Sequence, residues 1–476
     1  MKKFNAVLMA MLFGMCGQVL ADDTKYGNQV AFVVLDESAK TAKLTGCWYR
    51  GNLNLPTTVV ANEETTEYTV TQIGDYVMKG DGYNTEVTGV TIPSTVTTIA
   101  SNAFNGCSAL TDVYMSGAAV TVSSTDDCHL DWAFYGLSGL TLHFNTDVTG
   151  NYRGKLGTVF STVSIDKGCT TINSSVLADN TSITKVVINS TLTKLGSWQF
   201  YGCSGLTTVE FGDNAGAPET IESDIFNGLT NSNITLKANQ YYFKAIKDKF
   251  GDQVSGMNFV VPLLTLNSTW NNSHINDVTA EAVDVTNTFH TGYWNTLVIP
   301  FAMTADEIAA KFGTGTKIVE LSGYTSETVS FSSVSTITAN KPCMVRPTAG
   351  SDITSMSFGS KTITASTDPS DSYFKGTYNG SSNTMPANTY YIKQDKVYKS
   401  NNTSLQAMHG YFDFSGASLA PARSFSIVID GETTGIESIY GAAGSIENTS
   451  YNLAGQRLAH PQKGINIVNG KKVIIK

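Results

Sequence analysis

The sequence predicts a mainly β protein: a solenoid of short stacked units, then an all-β sandwich-like domain, then a small C-terminal strand unit. Three observations carry that prediction. One apolar motif recurs through the first half at spacings such as 23 and 26 residues. Short alternating runs separated by turn residues fill the second half. The composition suits both, since only 15% of the 476 residues are charged and there are 42 Gly against 11 Pro. Abundant Ser, Thr and Asn favour strands and tight turns. Lys and Arg total 31 against 40 Asp and Glu, a net charge of −9. Phosphate neutralisation needs clustered Lys and Arg, so a nucleic-acid partner is excluded.

The chain opens with Lys2 and Lys3, an apolar run from Ala6 to Phe13, and Val19-Leu20-Ala21 before Asp22-Asp23. This is the pattern of a secretory signal peptide over residues 1–21, too short in its apolar run to span a bilayer. The alternative is a lipoprotein anchored through Cys16, but Met15 stands where such signals want Gly, Ala or Ser. No later segment is long and apolar enough to cross a membrane. The expected location is therefore secreted or cell-surface, with attachment through Cys16, attachment through the C-terminal tail, or no attachment left open.

Residues 22–67 read as an N-terminal cap. Val30 to Leu35 and Ala42 to Tyr49 form two strands around Asp36-Glu37-Ser38, a hairpin able to cover the apolar end of a solenoid.

The repeat occupies residues 68–262. Ile99 to Met115 and Leu195 to Phe211 share an aliphatic, a Phe five positions later (Phe104, Phe200), then Gly-Cys (Gly106-Cys107, Gly202-Cys203), Leu (Leu110, Leu206) and a Val-x-Met or Val-x-Phe end. Ile172, Leu177, Ile183, Val186 and Ile188 repeat the offsets, and Ile221, Phe226 and Gly228 begin another copy that reaches Ile234 and Leu236. Ile73, Met78, Val90 and Ile92 form a looser copy, and Phe134, Gly136, Leu140 and Leu142 a shortened one. Residues 145–167 do not fit the pattern. The offsets assign an inward Phe, a tight corner whose Gly takes φ > 0, and a short strand with one apolar side. Such a unit buries too little to order itself, so it must stack.

The spacing lies in the range of leucine-rich repeats. The Ile-x-x-x-x-Phe-x-Gly-Cys-x-x-Leu-x-x-Val pattern, with Ile92-Pro93 and the lead-in Tyr68-Thr-Val70-Thr-Gln-Ile73-Gly74, resembles the BspA-like class. That resemblance covers about Tyr68 to Val261 and implies a secreted or surface protein of bacteria or protists, of a kind often described as adhesins. Beyond the last copy, Tyr241 to Phe250 places Tyr242, Ile246 and Phe250 at helical spacing before Gly251, a helix that would close the far end.

Residues 263–435 change character. Strands are expected at Thr296–Ile299, Lys317–Leu321, Val329–Phe331, Met344–Arg346, Tyr390–Ile392, Lys396–Tyr398, Phe412–Phe414 and Phe425–Ile429, the pattern of a β-sandwich. One helix interrupts them. Thr304-Ala-Asp-Glu307 is a capping box, and Gly313 stops the body from Ile308 to Phe312. The string Trp294 to Phe301, this helix, Val319–Leu321 and Lys341-Pro342 resembles a β-domain common in exported Bacteroidales proteins. Residues 436–476 read as three strands, Tyr451–Arg457, Lys463–Ile467 and the run after the Asn469-Gly470 turn. They resemble the C-terminal tails of Bacteroidetes surface proteins, akin to type IX secretion signals, with Asn466 where a tyrosine is usual.

The search for chemistry returns little. The six histidines show no ligand spacing, although His129 and His143 lie near Cys128, Asp126 and Asp127 in what reads as an irregular repeat loop. Cys47, Cys107, Cys128, Cys169, Cys203 and Cys343 remain after the leader. Their even number invites disulfides, yet Cys107 and Cys203 fill one repeat slot as small buried hydrophobes. Gly202-Cys-Ser204-Gly205 is not a nucleophile elbow, and Gly313-Thr-Gly-Thr-Lys317 is a turn rather than a phosphate loop. No catalytic residue, cofactor or metal is expected. What remains is the outward face of the solenoid strands: Thr91, Asp112, Tyr114, Lys185, Val187, Thr208, Glu210 and Thr235. Such a face suits an extracellular protein or glycan. The reading is a non-enzymatic, adhesin-like protein binding host or neighbouring-cell macromolecules. The alternative is a glycan-binding accessory protein using the C-terminal β-domain, with Trp48, Trp270 or Trp294 stacking on sugar rings.

Overall fold

The computed structural model describes residues 24–475 except 28, 49–50, 79–84, 119, 124–128, 190–191, 213–215, 326–327, 381–383, 417–424, 435, 440–449, 452–456, 459–463 and 469–470. The signal segment therefore lies outside the described residues. The chain divides into two compact units, Met1–Leu264 with Val278–Glu281, and Thr265–Asp277 with Ala282–Lys476.

The first unit is a β-solenoid. Its long ladder runs through Asn52–Asn54, Gly89–Thr91, Asp112–Met115, Leu140–Phe144, Phe160–Ile165, Lys185–Ile188, Thr208–Phe211, Thr235–Ala238 and the start of Asn258–Asn267, neighbours in that order. Every pair from Asn52–Asn54 to Asn258–Asn267 is parallel. One strand of alternating pattern gives one buried column. Here the register aligns Leu53, Val90, Val113, Leu142, Val163, Val186, Val209 and Leu236, and all are buried. A shorter parallel ladder, Thr171–Ile172, Lys194–Leu195 and Thr220–Ile221, lines another side of three successive coils. Between coils, Thr111 Oγ1 donates to the Thr88 carbonyl (3.0 Å), Thr184 Oγ1 to Ser161 (3.2 Å) and Thr207 Oγ1 to Thr184 (3.1 Å). This explains the Thr that follows Leu110, Ile183 and Leu206 in those copies.

The corner phenylalanines form the expected spine. Phe104 stacks on Phe134 at 4.9 Å, Phe134 meets Phe160 edge-on, and Phe200 lies 5.5 Å from Phe226. Gly106, Gly136, Gly202 and Gly228 take φ of 85°, 84°, 70° and 81°. At Gly202 a Cβ would come within 2.1 Å of Asp179 Oδ1, so both conformation and space require glycine there.

Residues 145–167, which the motif could not place, form a complete coil. Val148 bridges Ile172 in parallel, and Phe160–Ile165 takes its place between Leu140–Phe144 and Lys185–Ile188. The corner here is Tyr152-Arg153-Gly154. Tyr152 is buried against Phe144 at 5.0 Å, and Gly154 takes φ 64°. Asn180 Nδ2 donates to the Tyr152 carbonyl from the next coil.

The N-terminal hairpin forms as Val30–Asp36 against Thr41–Cys47, and Thr41–Cys47 continues in parallel onto Glu67–Ile73. At the other end the expected helix is Phe243–Phe250, stopped by Gly251 at φ 56°. Two expectations about it fail. Tyr242 is 43% exposed, and Phe243 fills the inward position. Nor does the helix close the ladder, because Asn258–Asn267 pairs beyond it. Phe250 instead packs on Phe211 and Phe226 and so fills the interior of the last coil.

The second unit holds two six-stranded sheets. One orders as Asn295–Leu297, Cys343–Arg346, Lys317–Tyr324, Thr328–Val334, Ser426–Ile429 and Glu432–Thr433; the other as Ser370–Asp371, Phe374–Gly376, Gly410–Phe412, Tyr390–Lys393, Lys396–Lys399 and Glu437–Ile439. Val319, Val329, Phe331, Met344 and Ile427 of the first share one core with Phe374, Tyr390, Val397 and Phe412 of the second. Phe374 stacks on Phe412 at 4.6 Å, and Phe331 meets both rings at 6.0 Å. The Thr304 capping box forms as expected at the start of Ala305–Phe312. The tail has four strands rather than three, Arg457–Leu458 and Ser450–Tyr451 being separate and antiparallel. Gly464–Val468 and Lys471–Ile475 pair as a hairpin, while Asn469-Gly470 lies outside the described residues.

Candidate interaction face of the solenoid

In each ladder strand the residues between the buried ones point away from the core. The register turns them into two rows. The first aligns Asp112, Thr141, Thr162, Lys185, Thr208 and Thr235. The second aligns Thr91, Tyr114, His143, Ser164, Val187, Glu210 and Lys237. All eight residues expected on this face lie in these rows, and each is half-buried. Thr141, Thr162, His143, Ser164 and Lys237 were not among them. The first four belong to the two coils whose offsets depart from the motif.

His143 is the main correction. It does not lie in an irregular loop but in the strand Leu140–Phe144. Its Nε2 lies 3.0 Å from Asp112 Oδ1 and its Nδ1 2.9 Å from Asp166 Oδ2, while Tyr114 stacks on the ring at 4.2 Å. Burial acts to lower the imidazole pKa, but the hydrogen bonds to Asp166 and Asp112 outweigh it and hold the group above its ordinary 6.5. Asp166 is likewise opposed by burial, yet His143 and Ser164 bring its carboxyl below the usual range. The arrangement locks three neighbouring strands together across the outer face. Asp126, Asp127 and Cys128 lie outside the described residues.

Charges elsewhere on the face are paired. Lys185 Nζ lies 2.9 Å from Glu210, and Lys237 Nζ lies 2.8 Å from Glu281. Each pair is partly exposed and weak in water, so a partner can re-pair these groups at small cost.

The five cysteines among the described residues are buried free thiols. Cys107 and Cys203 are buried in their repeat slot without disulfides, and burial pushes them up to about 12 and about 11. Cys47 and Cys343 are buried thiols too, and the Cys169 thiol contacts the Thr171 carbonyl. Among the tryptophans proposed as sugar platforms, Trp294 is only 5% exposed and belongs to the sandwich core. Trp48 lies against Tyr26, and Trp270 is exposed. Among the described residues no group of three or more His, Cys, Asp or Glu is arranged to hold a metal, and no helix is long and apolar enough to cross a membrane.

Several solved structures are similar to part of this chain. A leucine rich cell surface protein from Faecalibacterium prausnitzii is similar at 19% identity and a TM-score of 0.20, over 51% of this chain and 55% of that one. This chain thus spans about half of that protein. Leucine-rich repeat proteins from Bacteroides ovatus (15% identity, TM-score 0.21, 55% and 76% covered) and Bacteroides capillosus (16%, 0.18, 46% and 99%) are also similar. No curated protein matches the chain. Residues 61–149 and 156–246 match the BspA type leucine rich repeat region in six copies. The coils of the first unit therefore carry a BspA-type leucine-rich-repeat region.

Proposed function

We propose that this chain is an exported cell-surface protein that binds an extracellular macromolecule, without chemistry, on the outer face of its long ladder. The observation that supports this reading is the pair of polar rows, in register across successive coils and presenting Tyr114, Glu210 and the Lys185 and Lys237 ion pairs side by side. A broad, shallow surface of mixed and re-pairable charge is complementary to another protein surface. The leader sequence and the likeness of the tail to sorting signals support export. The full mature chain should adhere to immobilised extracellular-matrix proteins or mucin. The double variant Tyr114→Lys, Glu210→Lys should weaken that adhesion; unchanged adhesion rejects the face.

A further inference from the structure

A second surface lies on the corners that precede the ladder strands. Two coils carry the same motif there: Trp132-Ala-Phe134-Tyr135-Gly136 and Trp198-Gln-Phe200-Tyr201-Gly202. In both, the Phe is buried in the spine while the Trp and Tyr remain on the surface. Trp198 is 40% and Tyr135 64% exposed, and Trp132 and Tyr201 are half-buried. Other coils place polar residues at these positions: Asn102 and Asn105, Asp224 and Asn227. The aromatic residues are thus not demanded by the repeat.

Trp198 is held against its backbone preference. Its φ is 58°, in the left-handed region shared by Asn102 (60°), Ser175 (61°) and Asp224 (59°). Small polar residues tolerate that region and a bulky indole does not. An exposed Trp kept in a strained conformation marks a functional site more than a structural one. The loop carrying it is fixed from beneath. Glu222 Oε2 accepts from Ser197 N (2.9 Å), Ser197 Oγ (3.0 Å) and Ser174 Oγ (3.0 Å). The indole is set 5.4 Å from the Tyr201 ring at 59°.

At the first corner Trp132 stacks on His129 at 5.9 Å. The two aromatic corners stand three coils apart, since Leu140–Phe144, Phe160–Ile165, Lys185–Ile188 and Thr208–Phe211 are successive ladder strands. At strand spacing that is about 14 Å. Of the two coils between them, the one leading to Lys185–Ile188 has Ser175 and the buried Ala178 in these slots. The one leading to Phe160–Ile165 carries Arg153, whose guanidinium lies 5.9 Å from the Tyr201 ring centroid and whose Nε lies 2.7 Å from Asp179. That ion pair leaves the terminal guanidinium nitrogens as donors.

From this arrangement we infer that the corner ridge is a binding site for an extended neutral polysaccharide, whose sugar rings stack on Trp132 and Tyr135 at one corner and on the Trp198–Tyr201 pair at the other, and whose intervening hydroxyls meet Arg153. Separate aromatic platforms with a polar trough between them match a chain of alternating apolar ring faces and hydroxyl edges. The net charge of −9 disfavours an anionic polymer. This site is on a different side of the coil from the ladder rows and does not depend on their function.

Affinity electrophoresis of the full mature chain through gels containing a β-glucan, a xylan, a mannan or heparin tests it. Retardation is expected in at least one neutral gel. Trp198→Asn, Trp132→Asn, Tyr201→Asn and Tyr135→Asn install residue types used by sister coils, so melting temperature should hold. Each should weaken the neutral-gel affinity about tenfold or more. Tyr114→Lys, Glu210→Lys should leave it unchanged, separating this site from the ladder face. No retardation in any neutral gel, retardation by heparin alone, or neutral-gel affinity indifferent to the four Asn variants would each overturn the assignment.

Discussion

The solenoid and the sandwich bury similar side chains by opposite routes. In the first unit each phenylalanine meets its counterpart in a neighbouring coil, as Phe104 meets Phe134 and Phe200 meets Phe226. In the second, Phe331, Phe374 and Phe412 converge from distant parts of the chain. A repeated core is local and tolerates changes coil by coil. A convergent core is one shared solution. The solenoid also leaves its outward residues in rows, because register propagates. That is why the extended binding surfaces argued above lie on the first unit.

The comparison can be broken at several points. Phe200→Ala removes a buried ring from the spine and should cost about 3–5 kcal/mol; a denaturation midpoint that stays put would mean the spine does not hold the coils. Gly202→Ala meets both a left-handed φ and the Asp179 carboxylate and should cost about 2–4 kcal/mol. Gly136→Ala, with open space around it, should cost only about 1–2 kcal/mol. Equal losses in the two proteins would show that corner packing is not what distinguishes the coils. In the sandwich, Thr304→Ala loses the side-chain half of a capping box and should cost about 1 kcal/mol by chemical denaturation.

Two titrations sharpen the picture within the solenoid. Lys194, Ser197 and Ser174 hold the Glu222 carboxyl down to about 2 from 4.5. Its folded pKa is depressed, so its contribution is complete above about pH 4.5 and fades as pH falls toward 2. The stability gap between the native chain and Glu222→Gln should close over that window. His143 has the opposite sign. Its folded pKa is raised, so its contribution is complete below its ordinary 6.5 and is lost as pH climbs through the folded value. The imidazole NMR titration of His143 should therefore have its midpoint above 6.5, and a midpoint below that would remove the charge from the Asp112–His143–Asp166 lock. The smallest effect belongs to Glu210→Lys, whose exposed ion pair with Lys185 should leave stability within about 0.5 kcal/mol.

The regular copies were legible because Phe-x-Gly-Cys at Phe104 and Phe200 combines a buried ring with a glycine that the backbone requires. The coil at residues 145–167 was not, because Tyr152 replaces the Phe and follows Val148 by four positions rather than five. The loop from that corner to Val163 is then longer than in its neighbours. Once that coil is misplaced, Ser164 and Asp166 cannot be put beside His143, and the lock across Asp112 disappears from view. In the helix Ile246 and Phe250 are inward as expected, and only the first inward position was misread. Tyr242 and Phe243 are adjacent aromatics, and periodicity over so short a helix does not choose between them. Eight strands of the two sandwich sheets were expected, whereas Ser370–Asp371, Phe374–Gly376, Glu432–Thr433 and Glu437–Ile439 are too short to show a pattern, and the pairing depends on contacts that no local pattern encodes.

Residue counts between matching ladder positions vary, from 21 between Thr141 and Thr162 to 37 between Asn52 and Gly89, yet the buried column stays aligned from coil to coil, with one bulge between Leu140 and Thr141. The molecule therefore counts strands and not amino acids. Whole turns can be duplicated, deleted or exchanged between relatives at the level of the gene without disturbing those on either side. The reach of the protein, and the spacing of whatever it displays, becomes a quantity that selection can adjust in steps of one strand width.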